Sequence, residues 1–398
     1  MRVAFVIPYF YPAMWYGGAP RSAYNTARAL TRRGHHVTVL TTDSAGPERI
    51  SRDAIARIER DGIDGIQVCY YRNISNDLAY RHRIFFPPRF FTELRSRLTE
   101  NQIVHIHELR SFLTVGAHSA LRGIRIPYVL SPHGGLRHLG KRPVKVAFDW
   151  LWGKSILKDA AAICVISPTE ERDARNFSIE PHRIHPLPNG IDAERYKELP
   201  RPGEFATRWR LHGRKIVLFL GRLNWIKGPD ILIQSMQFLK DLSDVHLVIA
   251  GPDDGAELRL RTLVKEQKLE GKVTFTGFLD EEQKLRALVD SYATVIPSRS
   301  EAFPITLLEG LACKKPAVVS SACDLDDWIA GRATWLTFRN RDPRDLAEKL
   351  RAVLCARFDP SAISAGQNFV LTELSADALA ARVEALYGSL IEDKRTFT

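Results

Sequence analysis

The chain has 398 residues, 45% of them hydrophobic, and a formal net charge of +11. It is too long for one ordinary hydrophobic core and suits two domains of roughly 190 to 200 residues each. No run of 18 or more apolar residues occurs, so the sequence predicts no membrane-spanning helix.

The first half of the chain predicts a parallel sheet. Short β-rich runs without strict polar–apolar alternation are separated by stretches of helical period, which is typical of strands covered on both faces. The runs lie at residues 3–7, 37–41, 67–71, 103–106, 128–131 and 162–166. We therefore expect a doubly wound, Rossmann-like domain over residues 1–190. The first run is followed by Pro8 and Pro12 and has no basic leader, so we expect no signal peptide.

The excess positive charge lies entirely in this half. Residues 1–190 contain 27 Lys/Arg against 16 Asp/Glu, whereas the remainder contains 30 of each. Such asymmetry indicates an anionic partner. Segments 81–91 and 141–154 mix basic residues with Phe and Trp, which suits a lipid headgroup boundary. The same composition also fits ordinary helices that pack their aromatic rings into the domain. No nucleic-acid recognition motif accompanies the charge.

A polar, proline-bearing segment at 194–213 precedes a second domain of the same class. Its β-rich runs lie at 216–220, 245–250, 273–275, 294–296 and 317–320. We assign this domain to residues 191–375 and a final amphipathic helix to 376–398, which we expect to cross back to the first domain. Two doubly wound domains facing across a cleft bind ligands at the carboxyl ends of their strands.

Two cations follow the first strand of the second domain. Gly221 and Arg222 come directly after the run, and Lys227 and Gly228 precede a predicted helix. A guanidinium and an ammonium at a strand end can neutralise a diphosphate and stabilise it as a leaving group. Each residue by itself is equally consistent with a solvated loop.

Two glutamates bracket the start of a predicted helix. Glu301 precedes Pro304, which favours a helix start, and Glu309 lies more than one turn inside that helix. The first amides, those of Ile305 and Thr306, are natural phosphate contacts because a helix N-terminus offers free N–H groups and a positive dipole end. Glu309 lies among leucines, where a charge needs a partner.

These motifs together resemble a retaining glycosyltransferase of family 4 with the GT-B fold. The resemblance covers nearly the whole chain. It depends on the Glu-x7-Glu spacing of Glu301 and Glu309 and the Gly-Arg…Lys-Gly pattern at 221–228. It also includes Pro-Asn-Gly-Ile-Asp at 188–192, Ser-Pro-His-Gly-Gly at 131–135 and the loop at 16–21.

The resemblance implies a role for each matching residue. Glu309 would bind the ribose hydroxyls, Glu301 would contact hydroxyls of the donor sugar, and Arg222 with Lys227 would hold the diphosphate. His133, of the first domain, would lie under the sugar and act at the anomeric centre. Further donor contacts would come from Gly17, Gly18, Gly251, Phe275, Gly277, Phe303, Ile305 and Thr306. The donor would be a UDP or GDP sugar.

We expect no metal requirement, because the two cations make a metal redundant. His105 and His107 alternate on one strand but have no third ligand at suitable spacing. The pair Asp324 and Asp326 matches a minimal Asp-x-Asp pattern, which is too short to be specific. The sequence also departs from the commonest family pattern at three places. Pro304 has no N–H for a phosphate, so recognition must use Ile305 and Thr306. The departures at Lys314 and at 324–327 affect the loop shape near the nucleobase and sugar, and hence donor identity, more than the reaction.

The sequence therefore predicts transfer of a hexose-type sugar to an acceptor hydroxyl on a glycan or lipid-linked molecule, in polysaccharide or glycolipid synthesis. Five cysteines without a CxxC pair favour a reducing, cytoplasmic compartment. The basic first half leaves peripheral contact with the inner face of the plasma membrane open. Two alternatives stay open: a glycoside hydrolase that uses Glu301 and Glu309, and a sugar-nucleotide-binding protein without catalytic activity.

Overall fold

The computed structural model of the chain describes residues 1–138, 142–323, 325, 335–355 and 359–396. The chain divides into two compact units, Met1–Asn189 with Ala376–Thr398, and Gly190–Ser375. Each unit contains one sheet whose paired strands are parallel. The predicted α/β class with two Rossmann-like domains is confirmed.

The first unit contains a seven-stranded sheet. Its strands are β1 (Arg2–Val6), β2 (His36–Thr42), β3 (Gln67–Tyr71), β4 (Ile103–His107), β5 (Tyr128–Ser131), β6 (Ala162–Val165) and β7 (Ile184–Pro186). Its helices include α1 (Gly18–Arg32), α2 (Arg52–Asp61), α3 (Pro88–Thr99), α4 (Phe112–Arg122), α5 (Arg142–Phe148), α6 (Lys154–Asp159) and α7 (Pro168–Asn176). The order β3-β2-β1-β4-β5-β6-β7 reverses direction between β1 and β4, and doubly wound sheets bind ligands at such a switch point.

The second unit repeats this arrangement with six strands. They are β8 (Lys215–Leu220), β9 (Val245–Ala250), β10 (Val273–Gly277), β11 (Ser291–Ile296), β12 (Ala317–Ser320) and β13 (Trp335–Phe338). The described helices are α8 (Glu204–Arg208), α9 (Pro229–Ser235), α10 (Glu257–Glu266), α11 (Glu281–Asp290), α12 (Ile305–Ala312), α13 (Pro343–Cys355) and α14 (Pro360–Thr372). In the order β10-β9-β8-β11-β12-β13 the switch point lies between β8 and β11.

The last helix, α15 (Ala376–Thr396), packs in the first unit. Its apolar residues Ala380, Val383 and Tyr387 belong to the same buried cluster as Phe5 of β1. The Tyr387 side chain is fully buried, and its hydroxyl lies 2.5 Å from Nδ1 of His105 on β4. The chain therefore returns to its first sheet after the second unit ends.

Two of the four edge strands in the described sheets, β7 and β13, are absent from the sequence prediction. The β7 strand has only three residues and ends in Pro186. The β13 strand is half-buried over most of its length, so it lacks the continuous apolar run of a central strand. No helix within the described ranges is long and apolar enough to span a bilayer.

Candidate active site

Arg222 lies just beyond the carboxyl end of β8, and the orientation of its side chain is fixed by a neighbouring carboxylate. Its Nη1 donates to Oδ2 of Asp254 at 2.7 Å, and the Asn224 amide donates to the same oxygen at 2.8 Å. The loop backbone is closely packed: a Cβ on Gly251, whose φ is +149°, would lie 1.9 Å from the Gly221 carbonyl oxygen. Only glycine fits there. The Arg222 guanidinium is thereby held at the mouth of the sheet.

Lys227 and Glu301 contact each other although they lie far apart in sequence. Lys227 Nζ donates to Glu301 Oε2, and the Ser298 hydroxyl donates to the same oxygen at 3.3 Å. Lys227 follows β8 and Glu301 follows β11, so the pair spans the switch point of this sheet. The structure thus places a cation that can bind a phosphate beside a carboxylate that can accept hydrogen bonds from hydroxyl groups.

Helix α12 begins where the sequence predicts it. Pro304 is the N-cap residue, and no side chain caps the helix. Phe303 and Ile305 are buried, whereas Thr306 is half-buried. The N–H groups of the first turn have no partner within a helix, so the Ile305 and Thr306 amides present a positive dipole end to an anion. Pro304 itself has no N–H to offer.

Glu309 lies inside α12 and is 3% exposed, with Leu307 and Leu308 fully buried beside it. Its Oε1 accepts a hydrogen bond from Lys284 Nζ of α11 at 2.6 Å. Lys284 is the charge partner that the sequence reasoning required and did not identify.

Three of the predicted donor contacts, Gly251, Phe275 and Gly277, come together at the ends of β9 and β10. The Gly251 N–H donates to the Gly277 carbonyl at 2.9 Å. Phe275 lies two residues before Gly277 on β10, and the Arg261 guanidinium stacks over its ring at 4.4 Å. The backbone of Gly251 and Gly277 therefore forms a surface at the carboxyl ends of β9 and β10, with the Phe275 ring close by.

In the first unit, His133 follows β5 in a left-handed backbone conformation, with φ of +54°. Its Nε2 lies 2.9 Å from Nδ1 of His107, and the two rings stack at 5.2 Å. Burial lowers the pKa of His133 to about 4 and that of His105 to about 3. His133 is therefore a neutral imidazole at physiological pH.

The loop that carries His133 is held on both sides by residues that the sequence analysis did not select. The buried Glu170 carboxylate accepts from the Gly134 N–H at 2.6 Å, and burial raises its pKa to about 7. Arg110 donates to the carbonyls of Gly135 and Leu136, the latter at 3.0 Å, and pairs with Asp149. These bonds hold the loop in place while His133 keeps its strained left-handed conformation.

Gly17 and Gly18 mark the start of the 15-residue helix α1. Gly17 is the N-cap, with φ of +99°, and Gly18 is the first helical residue. The structure thus places both residues at a helix N-terminus, beyond the carboxyl end of β1.

No group of three His, Cys, Asp or Glu side chains among the described residues could hold a metal ion. His105 and His107 instead stack on each other at 4.2 Å. Asp324 and Asp326, which carry the Asp-x-Asp pattern, lie outside the described residues. Lys314 lies two residues beyond the end of α12 with φ of +57°, a conformation that the more usual glycine would adopt without strain.

Two of the residues that the sequence analysis missed, Lys284 and Glu170, share a pattern that the sequence does contain: a charged residue on the apolar face of a helix. Lys284 lies on the buried face of α11, three and four positions before Ala287 and Leu288, where the helical period calls for an apolar residue. Its partner, 25 residues away, is visible only in the fold. Glu170 likewise sits on the inner side of α7, beside buried Ala174.

Two protein families match the chain. Residues 16–195 match the family described as Glycosyltransferase Family 4, and residues 205–368 match Glycosyl transferases group 1. A glycosyltransferase of Methanocaldococcus jannaschii is 27% identical over 379 residues, covering 89% of each chain. A D-inositol 3-phosphate glycosyltransferase of Xylanimonas cellulosilytica is 27% identical over 397 residues, covering 91% of this chain and 90% of that protein.

Solved structures share the fold at lower identity. Anabaena HepE in complex with UDP and glucose superposes with a TM-score of 0.78 at 16% identity, covering 98% of this chain and 100% of HepE. Sucrose-phosphate synthase from Thermosynechococcus elongatus gives 0.78 at 18% identity, covering 98% and 99%. At this identity the likeness concerns the fold alone, which is GT-B.

Proposed function

The chain belongs to the family 4 glycosyltransferases with the GT-B fold, and from that premise we propose that it transfers a hexose-type sugar from a UDP or GDP sugar to an acceptor hydroxyl with retention of anomeric configuration. One observation carries the proposal. It is the contact between Lys227 and Glu301 across the switch point of the second sheet, beside the start of α12. A sugar phosphate offers the complementary groups, an anionic phosphate for the ammonium beside neutral hydroxyl donors for the carboxylate.

The donor is held in three parts. Arg222, Lys227 and the first amides of α12 bind the diphosphate, because cations and a helix N-terminus both favour negative charge. Glu309 binds the ribose hydroxyls, and Glu301 binds hydroxyls of the sugar. The base lies against the backbone of Gly251 and Gly277. The solved complex of HepE with UDP and glucose supports a UDP-type donor.

The chemistry needs positioning and charge stabilisation rather than a protein nucleophile. As the bond between the anomeric carbon and the phosphate oxygen breaks, the leaving diphosphate gains charge that Arg222 and Lys227 stabilise. The same diphosphate takes the proton of the acceptor hydroxyl, so the acceptor oxygen bonds to the anomeric carbon on the face that the leaving group occupied. Neutral His133 supports the positive character that develops at the anomeric centre. No divalent ion is required for this assignment, and full activity in EDTA tests that point.

The acceptor is a glycan or a lipid-linked molecule, and the protein makes peripheral contact with a cytoplasmic membrane face. Two exposed segments of the first unit support this assignment. The Phe86 ring, in segment 81–91, lies 5.7 Å from the Phe112 ring, which lies 6.3 Å from the Trp152 ring, in segment 141–154. The two basic-aromatic segments predicted from sequence therefore meet in one surface. All five cysteines are free thiols, which supports a reducing compartment.

The experiment is a panel of UDP, GDP and ADP and their sugars, read first by thermal stabilisation. A ligand at about 100 times its Kd adds roughly 2.7 kcal/mol to the free energy of unfolding. The sugar donor that binds is then incubated with candidate acceptors, and the anomeric configuration of the product is read by NMR. Absence of stabilisation by every nucleotide would contradict the proposal. Sugar release from an oligosaccharide without nucleotide would favour a hydrolase, and donor binding without turnover would favour a silent binding protein.

A further inference from the structure

Lys284 is a nearly buried lysine that has no part in the assignments above. Only 11% of its side chain is exposed, and it lies on the inner face of α11. Its ammonium donates to Glu309 Oε1 at 2.6 Å and to Glu281 Oε2 at 3.0 Å. Two carboxylates on different helices therefore fix the position of one ammonium group.

The Glu281 carboxylate is itself held by a second cation. Arg195 Nη1 donates to Glu281 Oε2 at 2.7 Å, and Arg195 Nε donates to Asp192 Oδ2 at 3.3 Å. Asp192 ends the Pro-Asn-Gly-Ile-Asp motif, which the reaction leaves without a role. A continuous chain of charges thus connects this motif to Glu309 within the second unit.

We propose that Lys284 is a positioning residue for donor binding, whose ammonium fixes the Glu309 carboxylate in the orientation that receives the ribose hydroxyls. The proposal rests on the assignment of Glu309 to the ribose. A carboxylate has about four lone-pair sites, so binding Lys284 leaves it able to accept from hydroxyl groups. The entropy of ordering the glutamate side chain is lost before the nucleotide arrives, which strengthens binding by pre-organisation.

A ribose-specific readout separates this role from a merely structural one. The ribose ratio is the Kd of a 2′,3′-dideoxynucleoside diphosphate divided by the Kd of the parent nucleoside diphosphate. It is measured by calorimetry with UDP or GDP, whichever binds the wild-type chain more tightly. General loss of stability changes both constants alike, whereas misplacement of Glu309 lowers their ratio.

We expect Lys284→Met to lower the ribose ratio about tenfold, because the lost contact is a hydrogen bond between two charged groups. The matched control is Lys315→Met. Lys315 is also largely buried and donates to the Val289 carbonyl at 2.6 Å, on the same helix α11, so its loss should destabilise the chain and leave the ribose ratio unchanged. A Lys284→Met protein with the wild-type ratio would overturn the proposal.

A second arm covers the case in which the Glu309 carboxylate, deprived of Lys284, prevents Lys284→Met from folding, since breaking a buried ion pair is strongly destabilising. A Glu309→Ala background leaves neither a carboxylate nor any other side-chain acceptor at position 309. If Lys284 acts through Glu309, adding Lys284→Met there leaves the ribose ratio unchanged, and a further drop contradicts the proposal. If the wild-type chain binds the parent nucleotide with a ribose ratio near one, the assignment of Glu309 itself fails and the role of Lys284 falls with it. If no nucleotide binds, the proposed function fails.

Discussion

At the scale of single residues, the proposed donor site consists of charged side chains that neighbouring residues hold in place. Arg222 is oriented by Asp254, Lys227 contacts Glu301, and Glu309 is paired with Lys284. Each cation of the proposed diphosphate site already has a carboxylate partner, so the binding groups are ordered before a ligand is present. Such pre-organisation is what electrostatic catalysis requires.

Replacing Lys227 by Ala should lower kcat about 10² to 10³-fold, because one donor to the leaving diphosphate is lost. The measurement is steady-state turnover with the donor found in the nucleotide panel. Lys240→Ala is the control, since Lys240 is an exposed lysine of the same unit. Equal turnover in both variants would remove Lys227 from the catalytic site.

The free energy of unfolding should fall as the pH drops from about 6.5 toward 4. Burial lowers the pKa of His133 from 6.5 to about 4, so in this range the unfolded chain binds a proton that the folded chain does not. The stabilisation that His133 contributes is complete above the pKa of its imidazole in the unfolded chain. It is lost as the pH falls through the pKa of the same imidazole in the folded chain. Glu170, whose pKa burial raises to about 7, acts in the opposite direction in an overlapping range.

The contribution of His133 is therefore isolated by difference. His133→Gln should reduce the slope of the free energy of unfolding against pH, on the acid side, by the equivalent of about one proton taken up on unfolding. The substitution His182→Gln, at an exposed position, should leave this slope unchanged. A His133→Gln chain with the wild-type slope would show that this imidazole titrates normally.

The sequence predicted the residues that are proposed to contact the donor directly, and it did not reveal the residues that hold those side chains in position. Arg222, Lys227, Glu301 and Glu309 follow strands or start a helix, which local pattern reveals. The contact of Lys227 with Glu301 joins residues 74 positions apart, and no local pattern encodes it. Asp254, Lys284 and Glu170 were missed for the same reason.

At the scale of elements, central strands were predicted well because burial on both faces produces continuous apolar runs. The β9 and β12 strands match the predicted bounds, whereas β11 begins three residues earlier than predicted, at Ser291. The edge strands β3 and β10 were predicted as well, whereas β7 has only three residues and β13 is half-buried over most of its length, so neither shows a long apolar run.

The returning helix α15 makes a testable contribution to the first unit. Tyr387→Phe removes the hydroxyl that meets His105 Nδ1 and leaves a buried ring nitrogen without that partner, which should lower the free energy of unfolding by about 1 to 3 kcal/mol. Denaturant unfolding measures the change. Ser389→Ala, at an exposed position of the same helix, should change it little, and an equal loss in both variants would show that the contact with His105 is not the cause.

At the scale of the whole molecule, the charge asymmetry coincides with exposed apolar side chains. Trp150 is 74% exposed and Leu151 is 53% exposed, next to the exposed cations Arg142 and Lys154 in the same unit. Cations close to exposed aromatic rings match an anionic lipid surface, where the rings bury and the charges stay at the headgroups.

Vesicle co-sedimentation tests this surface. The wild-type chain should bind phosphatidylcholine vesicles that contain phosphatidylglycerol, bind pure phosphatidylcholine less, and lose affinity as salt increases. Trp150→Ser with Leu151→Ser should weaken binding severalfold, whereas Leu258→Ser, at an 83% exposed position of the second unit, should not. Binding that ignores lipid charge would contradict the assignment.

The first unit is built from two separate stretches of the chain, so its folding cannot be completed until the last helix has left the ribosome. Synthesis proceeds at about 5 to 20 residues per second, so roughly 10 to 40 s separate the appearance of the first sheet from that of the helix that covers it. Throughout that interval the surface that later receives Tyr387 is uncovered on the nascent chain. A message truncated near its 3′ end would yield a polypeptide with both sheets encoded and one of them left exposed, a natural target for chaperones and proteases.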